Sequence, residues 1–210
     1  TVGLDGTTDQ LDTPLPRSMV WNMEYDPSAE GFHAPITEDE LWDRVSVFLR
    51  GLLPVAEECG IKLAAHPDDP PLARVHQQPK LVYRHHLYQK LLDISASPSN
   101  CLELCVGTLA EMDDDDLYGS IERYARQDRI AYVHLRNVRG KVPRYTETFI
   151  DEGDVDVKRV LRILDDAGFD GVVIPDHSPQ MSCSAPWHAG MAFAMGYIRS
   201  ALQDLGGASA

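Results

Sequence analysis

Short apolar runs typical of β-strands alternate with helical segments through most of this sequence, and this alternation constrains the fold most. The runs are IKLAA, CLELCVG, RIAYVHLRNV and GVVIPDHSP, and each precedes a helical segment. Strands joined through helices form a parallel sheet with right-handed crossovers. Four strand–helix units are clear, and residues 19–25 (MVWNMEY) form a candidate fifth strand ahead of them. The sequence therefore predicts one α/β domain over residues 1–210, as an open doubly wound sheet or a closed (β/α)8 barrel.

Two of the predicted helices carry detailed signals. Thr37 and Glu40 fit a capping box at the start of the first helix, and Gly60 fits its end. The three- and four-residue spacing of its apolar residues predicts a buried face of Leu41, Val45, Phe48 and Leu52. A second helix is predicted over residues 81–95.

The composition limits the classes of partner. The net charge is −14, which argues against a nucleic acid or an anionic membrane surface as the partner. No run of about 18 apolar residues is present, so no membrane span is expected. The four cysteines show no CxxC spacing, and the polar first residues lack the pattern of a signal peptide. We therefore expect a reduced, cytoplasmic protein.

Metal-ligand residue types occur at the C-terminal ends of the four predicted strands. They are His66, Cys105, His134 and Asp176, each about one strand–helix unit from the next. A single such histidine is more often structural and a single such cysteine more often belongs to the core. Because parallel strands place their C-terminal ends on one edge of the sheet, the four together predict a divalent-metal site.

At these residues the sequence resembles the mannonate dehydratases, from about Asp12 to Leu205. The matching stretches are AEECGIKLAAHPDDPP, CLELCVGTLAEM, YVHLRNVRG, ETFIDEGDVD and GFDGVVIPDHSP. The resemblance implies a metal-dependent TIM-barrel lyase of hexuronate catabolism. It also implies that His66, Cys105, His134 and Asp176 bind the metal, with His177 as a catalytic acid/base. The family implies Mn²⁺ or Fe²⁺, and the cysteine leaves Zn²⁺ open.

The sequence departs from the family in two respects. A closed barrel has roughly 250 residues, so this chain is predicted to supply the C-terminal half, with four to five β/α units. The open strand edges would need the other half or a second copy, which predicts a homo-oligomer. The family also has a catalytic tyrosine after its PDH motif, and here Pro186 stands near that position. His188 is a candidate replacement base, or simply a polar residue at a helix start.

The activity implied by this resemblance is the dehydration of D-mannonate to 2-keto-3-deoxygluconate. His177 would protonate the departing hydroxide. Arg136 follows His134 by two residues, so it is predicted to bind the substrate carboxylate, or to form an ion pair with Asp176 or Asp68. Asp68 is predicted to contact the small anionic sugar acid or to hold the loop after His66. The alternatives are a metal-dependent sugar isomerase or epimerase of the same fold, a catalytically impaired paralogue with a different substrate, and a binding module without catalytic activity.

Overall fold

The computed structural model describes residues 8–10, 19–22, 29–31, 33–114, 116–179 and 181–206 of the chain. The strands within these residues are β1 (Thr8–Gln10), β2 (Met19–Asn22), β3 (Leu63–Ala65), β4 (Arg74–Val75), β5 (Gln78–Pro79), β6 (Asn100–Cys105), β7 (Ile130–His134), β8 (Asn137–Lys141), β9 (Arg144–Thr148) and β10 (Val172–Ile174). The helices are α1 (Glu38–Glu58), α2 (Leu87–Leu92), α3 (Val106–Glu111), α4 (Leu117–Ala125), α5 (Val157–Asp166) and α6 (Pro186–Gly206).

A four-stranded parallel sheet forms the centre of the fold, in the order β10-β7-β6-β3. Its strands are the four apolar runs of the sequence, so the predicted alternation of strands and helices is confirmed. Every residue of β6 is buried, as a strand covered on both faces requires. Within the described residues, the outer edges of β3 and β10 pair with no further strand.

A second sheet is antiparallel, in the order β1-β2-β9-β8. Its β8–β9 hairpin follows β7 directly, and the sequence did not reveal it. Residues 19–22 do form a strand, but β2 pairs antiparallel with β9. The prediction of a fifth strand in the parallel sheet was therefore wrong, because this segment pairs with the hairpin instead.

Helix α1 begins as predicted and buries a different face. The side chain of Thr37 accepts a hydrogen bond from the backbone of Glu40, and the Glu40 carboxylate accepts one from the backbone of Thr37. Gly60, with φ of +66°, follows the end of the helix. Phe48 is 60% exposed, whereas the buried positions are Trp42, Leu49, Leu53 and Ala56. The helix carries two adjacent apolar stripes, so spacing within the helix did not decide which stripe meets the core.

Helix α2 is shorter than the predicted segment 81–95. The backbone N–H groups of Leu81 and Val82 donate to the Asp68 carboxylate, and that of His85 donates to Asp114. Side-chain acceptors from distant loops thus replace the helical carbonyls in this stretch.

The main core lies between the parallel sheet and the helices, with Leu102, Leu104, Val133, Ile121 and Val160 essentially inaccessible. None of the helices in the described part of the chain is both long and apolar enough to cross a membrane.

Candidate metal centre

Three of the predicted ligands meet where β3, β6 and β7 end. Cys105 and His134 are direct cross-strand partners, and His66 is the first residue after β3. One ligand atom from each of the three side chains lies within 4.8 Å of the others. The parallel register therefore brings together residues that are far apart in the sequence.

Asp176 reaches the same cluster from the segment after β10. Its Oδ1 is 3.5 Å from His134 Nδ1, and its Oδ2 is 4.0 Å from Cys105 Sγ. Its backbone is left-handed, with φ of +65°, a conformation that aspartate adopts more readily than most residues. All four residues predicted as ligands thus converge.

Glu103 also lies in this cluster and was missed by the sequence analysis. Its Oε1 is 2.8 Å from His134 Nδ1 and 3.8 Å from His66 Nε2, and its Oε2 accepts a hydrogen bond from the Tyr132 hydroxyl. Glu103 precedes Cys105 by two residues, so both side chains leave the same face of β6. This spacing was the available signal.

The thiol and the imidazoles stabilise each other's charged forms. Burial alone would raise the pKa of Cys105, but the Arg136 guanidinium and hydrogen bonds with His134 and His66 lower it to about 6. Burial alone would lower the pKa of His66, but the hydrogen bond and charge of Cys105 raise it to about 9. The site is therefore built for a thiolate beside positive charge.

The cluster suits a divalent cation by two tests. Its donors are a thiolate, two imidazoles and two carboxylates, all common metal ligands. In addition, His134 Nδ1 and Glu103 Oε1 are buried and make no hydrogen bond with any residue that the structure describes. Because buried polar atoms are normally satisfied, these two atoms fit the position of metal ligands.

Arg136 lies beside the cluster and is only 3% exposed. Its Nη1 is 3.1 Å from Asp176 and 3.4 Å from Glu147, and its Nη2 is 2.7 Å from Asp69 and 2.8 Å from Glu111. The predicted ion pair with Asp176 is thus present, whereas Asp68 is not among these partners. A substrate carboxylate would have to compete with these four acids for the guanidinium.

Gly107 allows Arg136 to take this position. A Cβ added at Gly107 would lie 2.3 Å from both Cγ and Nε of Arg136. Any other residue at this point of α3 would displace the guanidinium from its carboxylates.

His177 lies next to Arg136 and is held by a residue that the sequence did not reveal. Its Nδ1 is 3.0 Å from Glu147 Oε2, and its Nε2 is 3.3 Å from Asp176 Oδ1. Burial alone would lower the pKa of His177, but the hydrogen bond and charge of Glu147 raise it above its ordinary value. Glu147 comes from the β8–β9 hairpin, so its contact with His177 depended on an element that was not predicted.

Two further predicted site residues lie elsewhere. The Asp68 carboxylate accepts hydrogen bonds from Leu81 and Val82 and lies 3.3 Å from Lys80 Nζ, which ties down the loop after His66. His188 is exposed in the first turn of α6, and among the described residues it makes no hydrogen bond or ion pair with the cluster.

Comparison with known proteins identifies close relatives. The family model for D-mannonate dehydratase (UxuA) matches residues 24–201. A mannonate dehydratase of Streptococcus suis is 31% identical over 177 residues, covering 83% of this chain and 48% of the relative. One from Geobacillus thermodenitrificans is 35% identical over 146 residues, covering 68% of this chain and 39% of the relative.

A solved structure agrees with this result. The crystal structure of mannonate dehydratase from Streptococcus suis serotype 2 superposes with a TM-score of 0.73 at 29% identity, covering 79% of this chain and 49% of that one. The predicted fold class, part of a TIM-barrel-type α/β domain, is confirmed. The chain spans about half the length of the curated relatives that it matches.

Proposed function

The chain belongs to the D-mannonate dehydratase family, and we propose that it carries the metal centre and the acid of a hydro-lyase that converts D-mannonate to 2-keto-3-deoxygluconate. The observation that carries this proposal is the convergence of His66, Cys105, His134 and Asp176 beside the His177–Glu147 pair. Elimination of water from a sugar acid requires a Lewis acid at the carboxylate, a proton donor for the hydroxyl and a base for the C2 proton, and this cluster is proposed to supply the first two.

We propose that these four residues hold Mn²⁺ or Fe²⁺, with Zn²⁺ as the alternative. A bound divalent cation supplies Lewis-acid stabilisation of the negative charge that develops beside the substrate carboxylate when the C2 proton leaves. The lowered pKa of Cys105 favours its ligating thiolate form, whereas His66, with a pKa of about 9, would have to release its proton when the metal binds.

His177 is proposed to protonate the hydroxyl that leaves C3. Its Nδ1 faces Glu147, so Nε2 is the nitrogen proposed to exchange a proton with the substrate, which would have to displace the present contacts of Nε2 with Arg136 Nη1 and Asp176 Oδ1, both at 3.3 Å. Burial alone would lower the pKa of His177, but the hydrogen bond and charge of Glu147 raise it above its ordinary value, which favours the protonated ring that a general acid requires. Glu147 is a positioning residue in this scheme, since it acts through the orientation and tautomer of His177.

Arg136 is proposed to act mainly within the protein. It holds the Asp176 and Glu147 carboxylates in place, and each of these contacts His177. The proposal assigns no role to His188, and it places Asp68 in the support of the His66 loop. A homo-oligomer and a cytoplasmic location stay predictions.

The test measures bound metal and 2-keto acid formation from D-mannonate. The variants are His177→Asn and Cys105→Ser, and the matched controls are the exposed residues in His86→Asn and Cys183→Ser. We expect Cys105→Ser to lose metal and activity together. We expect His177→Asn to keep its metal and to lose about 10²- to 10⁴-fold in kcat.

Two results would contradict the proposal. If the protein binds metal but forms no 2-keto acid from D-mannonate, the dehydratase proposal is wrong, and the isomerase or epimerase and the catalytically impaired paralogue with a different substrate are the alternatives to test. If the protein binds none of Mn²⁺, Fe²⁺ and Zn²⁺, the metal centre itself is wrong.

A further inference from the structure

We propose that Glu103 is a fifth protein ligand of this metal centre, and that it favours Mn²⁺ over Zn²⁺. The inference rests on the proposed metal centre and extends its ligand set to a residue that contacts both histidines of the cluster. It is argued from the position of the carboxylate, its unsatisfied oxygen and the charge around it.

Glu103 is placed by β6 in the same way as Cys105. Its cross-strand partner in β7 is Tyr132, and that of Cys105 is His134. Glu103 and Cys105 share one face of β6, while Tyr132 and His134 share one face of β7. The Tyr132 hydroxyl donates to Glu103 Oε2, and this hydrogen bond leaves Oε1 directed at the imidazoles.

Oε1 of Glu103 has close neighbours but no hydrogen bond. It lies 2.8 Å from His134 Nδ1 and 3.8 Å from His66 Nε2, and the Glu103 side chain is 7% exposed. Within the described residues neither Oε1 nor His134 Nδ1 makes a hydrogen bond, although the two atoms lie 2.8 Å apart and form an ion pair when the ring is protonated. Two such buried atoms at this distance are satisfied together by a cation that both of them contact.

The charges around Glu103 also favour a cation at this position. Asp176 and Glu103 bring two carboxylates to a largely buried region beside the Cys105 side chain, and His66 and His134 are neutral when they ligate a metal. Arg136 is the nearby guanidinium, and its Nη atoms also face Asp69, Glu111 and Glu147. A divalent ion offsets the negative charge that Arg136 leaves unbalanced. A carboxylate in direct contact with the ion is stabilised most.

The added carboxylate changes the preference for a metal. Zn²⁺ in proteins favours four ligands, and a thiolate with two imidazoles and one carboxylate already provides them. Mn²⁺ favours carboxylate oxygens and higher coordination numbers. A second carboxylate therefore stabilises bound Mn²⁺ more than bound Zn²⁺.

The experiment measures the affinities for Mn²⁺ and Zn²⁺ separately, by competition with a fluorescent chelator. The variant is Glu103→Gln, which keeps the shape of the side chain and removes its charge. The control is Glu122→Gln on the surface of α4, which changes the net charge equally. We expect Glu103→Gln to lose at least about tenfold in Mn²⁺ affinity and clearly less in Zn²⁺ affinity. We expect the control to lose neither.

Tyr132→Phe gives an independent test that leaves all ligands in place. It releases Glu103 Oε2, so the carboxylate should lose its fixed direction and Mn²⁺ affinity should fall while Zn²⁺ affinity holds. This variant decides the question if Glu103→Gln does not fold, as judged by circular dichroism.

The outcomes separate this inference from the proposed function. If the unmodified protein binds both metals and Glu103→Gln binds Mn²⁺ equally well, Glu103 is not a ligand and the dehydratase proposal stands. An equal loss for both metals means that Glu103 only orients His134, which overturns the inference. If the unmodified protein binds neither metal, the inference and the proposed metal centre fail together.

Discussion

Replacing Arg136 with methionine should destabilise the protein far more than removing an equally close ion pair on its surface. Arg136 Nη2 lies 2.7 Å from Asp69 Oδ2, with the arginine side chain 3% exposed. Arg126 Nη2 also lies 2.7 Å from its partner, Glu122 Oε1, with side chains 60% and 48% exposed. The two pairs have the same distance, so the comparison tests burial together with the number of carboxylates, which is four for Arg136 and one for Arg126.

The expected magnitudes differ because Arg136 is shared by four acids, one of them fully buried, whereas Arg126 pairs with the exposed Glu122. Removing one partner of a buried ion pair costs about 3–5 kcal/mol, since an uncompensated charge is left behind. Arg136→Met leaves Asp69, Glu111, Glu147 and Asp176 without the guanidinium, so a loss at the upper end of this range is expected. Arg126→Met breaks an exposed i,i+4 pair and should cost about 0.3–0.5 kcal/mol.

The cost of Arg136→Met should also depend on pH. In the unmodified protein, burial alone would raise the pKa of Asp69, but Arg136 and Tyr145 lower it, so this carboxylate adds stability above its unfolded pKa. Burial raises the pKa of Glu111 well above its usual range even beside Arg136. Without the guanidinium both values rise, and these groups then take up protons in the folded state as the pH falls. The destabilisation should therefore be largest at pH 8 and smaller at pH 5.

The assay is urea unfolding at pH 8 and pH 5, followed by circular dichroism with a chelator present so that metal release adds nothing. A cost for Arg136→Met similar to that for Arg126→Met would show that the buried network adds no stability. A large cost that is equal at both pH values would show that the loss comes from packing and that the orphaned carboxylates do not matter.

Three further predictions use other contacts. Glu147→Gln should lower kcat for D-mannonate by about 10²-fold or more with KM little changed, because the imidazole loses its orientation; an unchanged kcat in steady-state assays would contradict this. Gly107→Ala should destabilise by about 1–3 kcal/mol, because its Cβ would lie 2.3 Å from Arg136 side-chain atoms. A Cβ added at Gly51 would meet nothing within 4 Å, so Gly51→Ala should instead stabilise α1 by about 0.5–1 kcal/mol. Thermal unfolding of both glycine variants checks this, and a reversed order of their stabilities would refute the reasoning. Thr37→Ala should cost about 1 kcal/mol through loss of the capping box, and urea unfolding showing no loss would contradict it.

The sequence predicted the features that depend on local pattern and on the topology of parallel strands. The capping box at Thr37 lies within one helical turn, so four residues of sequence were enough to predict it. The convergence of His66, Cys105 and His134 required only that consecutive strands be parallel, since such strands end on the same edge of the sheet. The residue types and their places at strand ends therefore sufficed for the candidate site.

Other features depended on contacts between distant segments. The predicted face of α1 was wrong because two apolar stripes were available, and packing against the core selected the one with Trp42 and Leu49. Residues 81–86 are not helical because Asp68 and Asp114 take their backbone donors. Local periodicity carries no information about acceptors that arrive from elsewhere in the chain.

The sequence by itself thus determined the parallel α/β scaffold and placed four metal-type residues at one edge of its sheet. Only the tertiary structure showed which side chains Glu103, Glu147 and Arg136 contact. In the sequence, Glu103 is one polar residue within an apolar strand. The structure shows that His134 lies beside its Oε1, which makes no hydrogen bond within the described residues. Glu147 reaches His177 through a hairpin whose place against the sheet no local pattern specifies. The role of a charged side chain can be assigned only when its partners are known. Its burial and the charges nearby, more than its residue type, determine the free energy of its charged form.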